Sequence, residues 1–417
     1  MHVAFYIDRL TTRGARCESR IFGIKENPTG DFEAVENVYI CTMRTVVNIN
    51  VNILTWAIAR AGFDLNEFAL KVPGTLDWIN GDKKPTVKQL EELSRKVYLP
   101  FGYFLLPEPP KEELPIPFYR TQNAQTDKVG INVYDTVVLL KQRQDWLREF
   151  LKEDNSETLP FVGKYNLDTS IKVIVDDIRQ TLGLSPGWAS KQKTWQDALE
   201  VLVQYVENIG IVTMFNGIVE NNTHRPIKVE DCRGFVLVDD IVPFMFINNS
   251  DSKAAQMFTI VHELAHIWIG SSAGFDFRKL EPASNPIEEL CDKVAAEFLV
   301  PQALLRDVWK DHPGIAAAAK AFKVSEIVIA RRALDLNLIT RAQFLSFYDD
   351  YINREFQKRE AQSGGGDFYA TTRKRLGLAY STHINRAVKS GRLLYRDAYK
   401  LTSLKGDTFQ TYFTKHL

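Results

Sequence analysis

Two histidines and a glutamate in the run Val261-His262-Glu263-Leu264-Ala265-His266 have the types and spacing to do chemistry. Residues at i and i+4 lie about 40° apart around a helix and one turn along it. Both imidazoles can therefore reach one metal ion, and Glu263 can reach a water beside it. This is the geometry of a zinc hydrolase, with His262 and His266 as ligands and Glu263 as general base. The surroundings strengthen the reading. Phe258 to Ile269 is an apolar stretch whose polar residues beyond Thr259 are the motif itself. Burying two histidines and a carboxylate there is costly unless something pairs with them. A metal is the simplest partner; core histidines satisfied by hydrogen bonds are the alternative.

A catalytic zinc takes three protein ligands and keeps one position open. His312 lies in a polar Lys-Asp-His-Pro turn and is a poor third ligand. The segment from Ile287 to Val300 is better placed. Asn285-Pro286 reads as a helix start and Pro301 as a stop. Glu288 lies 288 − 266 = 22 residues past the second histidine, enough chain for a loop and a returning helix. Asp292 shares its face and could fix a ligand histidine's tautomer by accepting a hydrogen bond. Glu289 is the rival ligand, but Lys293 four residues on makes a solvent ion pair the plainer reading. Glu297 reads as a supporting or surface residue, and Cys291 as small packing between two helices.

With these residues in hand, HELAH followed by E-x-x-C-D-x-x-A-A-E-F-L-V-P resembles the ImmA/IrrE family of zinc metallopeptidases. The approach to the helix, Cys232 to Leu237 and then Pro243 to Asn248, is similar to that family's paired strands. The resemblance covers roughly residues 45–120 and 190–410. It implies an α+β, mainly helical chain: a zincin-like domain of small sheet plus HExxH helix, with helical N-terminal and C-terminal domains. It further implies zinc at His262, His266 and Glu288, Glu263 as catalytic base, and gluzincin-like endopeptidase activity. The substrate it implies is a partner protein, a helix-turn-helix repressor or antitoxin, in a toxin–antitoxin, phage or stress-response setting.

Composition suits an intracellular globular protein. Lys+Arg and Asp+Glu both number 52, so overall charge points to neither nucleic acid nor an acidic substrate. Cys17, Cys41, Cys232 and Cys291 form no paired framework, which fits a reducing compartment. No run of eighteen apolar residues is present, so no membrane span is expected. The N-terminus lacks the apolar core of a signal peptide, and a cytoplasmic location is expected.

The rest of the chain must position the motif. Residues 1–42 are poorly periodic and remain unassigned; translation could begin at Met43. Residues 43–106 read as a small helical domain. Ile53, Leu54, Ala57, Ile58 and Ala61 form one stripe, Gly81 ends a helix and Thr86 caps the next. The succession resembles a phage-repressor-type helix-turn-helix domain. Between Met43 and Pro110, eight Lys/Arg against seven Asp/Glu leave a net of +1, and Pro73-Gly74 falls where a recognition helix should start. DNA affinity rests on phosphate contacts, so protein docking is favoured over DNA binding.

Residues 107–130 are a proline-rich linker, and 131–360 the zincin-like domain. Within it, 131–152 read as an amphipathic helix, 169–215 as two helices and a strand, and Asp239-Asp240 as a hairpin turn. Such a strand edge would hold a substrate backbone by strand addition. Three helices follow Pro301, and Ser363 to Gly366 is a flexible break. Residues 367–417 form a basic, aromatic-rich C-terminal helical subdomain, with ten Lys/Arg against three Asp/Glu. Its aromatics are expected to pack inward while the cations stay solvated; a nucleic-acid or acidic-partner surface is the other reading.

The resulting expectation is a zinc endopeptidase with a regulatory role. Its oxyanion stabiliser is left open among His224, Tyr369 and His383. The linker, the glycine-rich break and the basic tail could each place a domain over the zinc cleft as a gate. The alternative is a non-enzymatic regulator using the helix-turn-helix-like domain, with the zinc domain as sensor or scaffold.

Overall fold

The structure, a computed structural model, describes residues 45–112, 130–271, 285–358 and 367–417, together with four strands outside them. Met43, Cys17, Cys41, most of the proline-rich linker and the Ser363–Gly366 break lie outside the described residues. The chain divides into two compact units, Met1–Glu112 and Glu113–Leu417.

The first unit contains an antiparallel meander of β1 (Phe5–Asp8), β2 (Arg20–Glu26) and β3 (Phe32–Tyr39). Four helices follow: α1 (Val51–Arg60), α2 (Leu65–Lys71), α3 (Thr75–Asn80) and α4 (Val87–Lys96). The expected caps are in place. Asp64 caps α2, and Thr86 with Gln89 forms a reciprocal capping box at α4. Gly74 and Gly81 bracket the short α3 in the left-handed region. Ile53, Leu54, Ile58, Phe68, Trp78, Leu90 and Leu93 share one buried core.

The second unit opens with α5 (Ile131–Glu153), α6 (Ile171–Leu182) and α7 (Trp195–Asn208). Then come β4 (Val212–Asn216) and a small hairpin of β5 (Ile218–Val219) and β6 (Asn222–Pro226). Next are β7 (Gly234–Leu237), β8 (Phe244–Asn248), α8 (Lys253–Ile269) and β9 (Ala273–Phe275). The helices α9 (Pro286–Leu299), α10 (Gln302–Asp311), α11 (Ile315–Phe322), α12 (Glu326–Asp335) and α13 (Arg341–Lys358) follow. The tail forms α14 (Phe368–Leu376), α15 (Leu378–Lys389), α16 (Tyr395–Thr402) and α17 (Gly406–Thr411).

The main sheet has the order β4-β8-β7-β9, with β4 parallel to β8 and the other pairs antiparallel. Asp239 accepts from the Ile241 and Val242 amides and so closes the β7–β8 turn. Both faces of the sheet are covered. Phe215, Val236, Met245 and Ile247 point into one core with α6 to α9, α11 and α12. The alternate residues Val212, Met214, Phe235, Leu237, Phe244 and Phe246 point into a second core with α5 and the tail. Residues 367–417, expected as a subdomain of their own, thus supply ten of the 25 buried residues of that second core.

Four of their eight aromatics turn inward, Tyr380, Phe409, Tyr412 and Phe413, whereas Phe368 and Tyr395 are exposed. Of the ten basic side chains in the tail, nine are exposed and only Arg375 is half-buried. Among the described residues no helix is long and apolar enough to cross a membrane.

Candidate metal centre

Helix α8 carries the motif because its ends are well defined and its whole length is apolar. Ser252 caps it by accepting from the Ala255 amide, and Gly270 ends it in the left-handed conformation. Thirteen of its seventeen residues are buried, among them His262, Glu263 and His266, each at 0% exposure. It lies unusually close to the sheet. A Cβ on Gly234 of β7 would stand 2.5 Å from Thr259 Cγ2 and 2.8 Å from the Phe246 carbonyl, so only glycine fits. Helix α9 returns alongside α8, started by Asn285 as cap and Pro286 in its first turn.

This pairing brings three donor groups to one point. His262 Nε2 lies 3.2 Å from His266 Nε2 and 3.1 Å from Glu288 Oε2. His266 Nε2 lies 3.2 Å from Glu288 Oε1. Ligands at about 2.0–2.1 Å around a tetrahedral metal stand roughly 3.3 Å apart, so the triangle matches a zinc ligand set. Without a metal, the two facing imidazole nitrogens can share one proton between them, with one donating and the other accepting. Glu288 Oε1 is buried with no hydrogen bond despite its short distance to His266. The convergence of these donor atoms, with Glu288 Oε1 left unpaired, fits a cation.

Asp292 lies 3.0 Å from His262 Nδ1. The ring donates there, which leaves Nε2 as a lone-pair donor toward the centre. Glu263 points both carboxylate oxygens into buried space without a hydrogen-bond partner.

The charges follow from these contacts in the metal-free protein. Burial disfavours a charged His262, but hydrogen bonds to Asp292 and Glu288 outweigh it and hold the ring at about 10. Burial pushes Glu263 up to about 8. Burial also works against ionised Glu288, yet the hydrogen bond with His262 and the close approach of His266 bring it down to about 2. Burial lowers His266, with Glu288 opposing.

The other sequence candidates separate cleanly. Glu289 is exposed and pairs with Lys293 at 2.5 Å. Glu297 pairs with Arg332 of α12. Cys291 is fully buried, with a donor atom within 4.8 Å of those of both histidines. The Glu288 carboxylate approaches to 3.1–3.2 Å, so it is the closer third donor. Burial, with Glu288, Glu263 and Asp292 nearby, raises the Cys291 thiol well above its usual range, which disfavours the thiolate a metal needs.

His312 is exposed at the end of α10. The three oxyanion candidates sit elsewhere. Tyr369 stacks on His416, and His383 packs against Phe150, both in the layer across the sheet from α8. His224 is exposed on β6.

Both helices of the centre fall inside a recognised family region. Residues 206–334 match the peptidase M78 model, described as the IrrE N-terminal-like domain. The match spans 334 − 206 + 1 = 129 residues. It supports the ImmA/IrrE resemblance and a metallopeptidase function. Residues 376–415 match DUF8813, a domain of unknown function. No curated protein matches the chain.

Proposed function

We propose that the protein is a zinc-dependent endopeptidase in which His262, His266 and Glu288 hold the metal. The observation that carries this is the convergence of their donor atoms at 3.1–3.2 Å beside a Glu263 carboxylate with no protein partner. A bound zinc would supply Lewis acidity, polarising a peptide carbonyl and making water easier to deprotonate.

The chain's own residues do the rest. Glu263 takes the proton from the attacking water and returns it to the leaving amine. In the metal-free protein burial pushes this carboxylate up to about 8. Asp292 orients His262. Among the described residues no strand pairs with the outer edge of β9, which would receive the substrate backbone by strand addition.

A sensor or scaffold needs the ligands but gains nothing from a buried, unpartnered Glu263. Its presence favours the enzyme. The ImmA/IrrE resemblance supports a repressor or antitoxin as the substrate, with the helical part of the first unit as a docking or helix-turn-helix-like element. Glu263→Gln tests the reading. The variant is expected to keep its metal and fold while losing cleavage of a co-incubated repressor encoded beside it, followed by mass spectrometry of fragments. Cleavage at the wild-type rate would remove Glu263 as the base.

A further inference from the structure

Helix α6 grips both helices of the metal centre, at residues two apart. Asp177 accepts from the Trp268 indole N–H at 2.8 Å, and Trp268 lies two residues past His266 in the last turn of α8. Arg179 donates from Nη2 to the Glu297 and Phe298 carbonyls at 2.8 and 3.1 Å, which caps the end of α9. That second helix carries Glu288 and Asp292. The two contacts thus tie α8 to α9 through a third helix. It spans Ile171–Leu182 and lies outside the matched residues 206–334.

The loop before α6 closes on the same turn of α8. Its Gly163 and Tyr165 amides donate to the Ile267 and Trp268 carbonyls at 2.9 and 3.0 Å. Those carbonyls have no partner within a helix that ends there. The approach is close: a Cβ on Gly270 would stand 3.0 Å from Gly163 Cα. Phe161 stacks on Trp268 with ring centres 4.4 Å apart and 16° between planes, and the indole is 0% exposed. An indole N–H buried in this way needs an acceptor, and Asp177 supplies it. Lys164 pairs with the other Asp177 oxygen at 2.6 Å, but its side chain is 44% exposed, so that pair contributes little.

We propose that Asp177 is a positioning residue for the metal centre. Acting through Trp268, it sets the rotation of the last turn of α8 and so the place of His266 against Glu288. The inference rests on the zinc reading of that centre. His266 and Trp268 share one turn, so a slide or rotation of the indole carries the ligand with it. Site geometry of this kind tolerates only about 0.5 Å of displacement. Stacking lets a ring slide in its own plane, whereas the N–H···O bond is directional and stops that movement. Arg179 gives Asp177 a fixed base by holding α6 on α9.

The test reads ligand geometry in the full chain, by zinc affinity in competition with a chelator and by the visible absorption of the cobalt-substituted protein. Asp177→Ala and Trp268→Phe should each weaken zinc roughly tenfold, the low end of what residues outside the ligand set contribute. Both should change the cobalt spectrum in the same way. The double variant should bind no more weakly than either single one, because both remove one bond. Asp177→Asn keeps an acceptor oxygen and should restore wild-type affinity and spectrum; Lys164→Ala should match wild type. If Asp177→Ala does not fold, Trp268→Phe, which keeps a stacked ring, decides. Variants that lower only the unfolding midpoint of the metal-free chain, with wild-type affinity and spectrum, would make Asp177 a packing residue and overturn the proposal. So would Asp177→Asn binding as weakly as Asp177→Ala. A wild-type chain that takes up no zinc would instead defeat the metal reading, and this proposal with it.

Discussion

At the scale of single residues, the proton on His262 governs how the centre takes up metal. The ring is held at about 10 because hydrogen bonds to Asp292 and Glu288 outweigh its burial. A metal arriving at neutral pH must displace that proton, whereas Glu288, at about 2, is already ionised. Apparent zinc affinity should therefore rise with pH between 6 and 9, by up to about tenfold per unit for each proton released. Calorimetry in buffers of different ionisation enthalpy would count the protons; affinity independent of pH would contradict this protonation state. His262→Ala and Glu288→Ala should each lose the one zinc per chain seen by elemental analysis. Asp292→Ala should keep the ligands yet weaken binding roughly 10–100-fold, since the tautomer of His262 is no longer fixed. The clustering of these side chains was legible in the sequence because i, i+4 spacing, as in His262/His266 and Glu288/Asp292, translates directly into a shared face.

At the scale of elements, the site depends on α8 lying flat against β7. Gly234 permits this, and Thr259 fills the space a side chain would need. Gly234→Ala is expected to destabilise the protein by about 1–3 kcal/mol through overpacking. It should also weaken zinc binding, because α8 would lift while α9 stays. Denaturant titration of the metal-free variant alongside zinc affinity would check both; an unchanged midpoint would mean that the sheet yields instead. Strand positions could be read from sequence because their apolar runs are short and flanked by turn residues. Which helices cover which face could not. Phe235-Val236-Leu237 and Phe244-Met245-Phe246-Ile247 are apolar without alternation. Such runs announce two buried faces but say nothing of their partners.

At the scale of the molecule, the tail decides between a gate and a wall. Its charge, +7 from ten cations and three anions, suggests a separable surface when read in sequence. In the fold those cations are mostly solvated, and the tail's apolar residues close the second core over Met214, Phe235, Phe244 and Phe246. The chain of contacts is tight as well as apolar. A Cβ on Gly377, between α14 and α15, would stand 2.4 Å from the Thr213 carbonyl, so the tail also covers the outer edge of β4. A segment packed behind the sheet cannot lift from the metal centre in front of it without exposing that core. Removing residues 367–417 should therefore abolish the cooperative unfolding transition and yield aggregated protein. A milder cut makes the same point: Phe409→Ala should cost about 3–5 kcal/mol, as deletion of a buried aromatic ring does. Circular dichroism and size-exclusion chromatography of both variants would test this. A truncated chain that stayed monomeric, unfolded cooperatively and digested casein faster than the full chain would show instead that the tail restrains the peptidase.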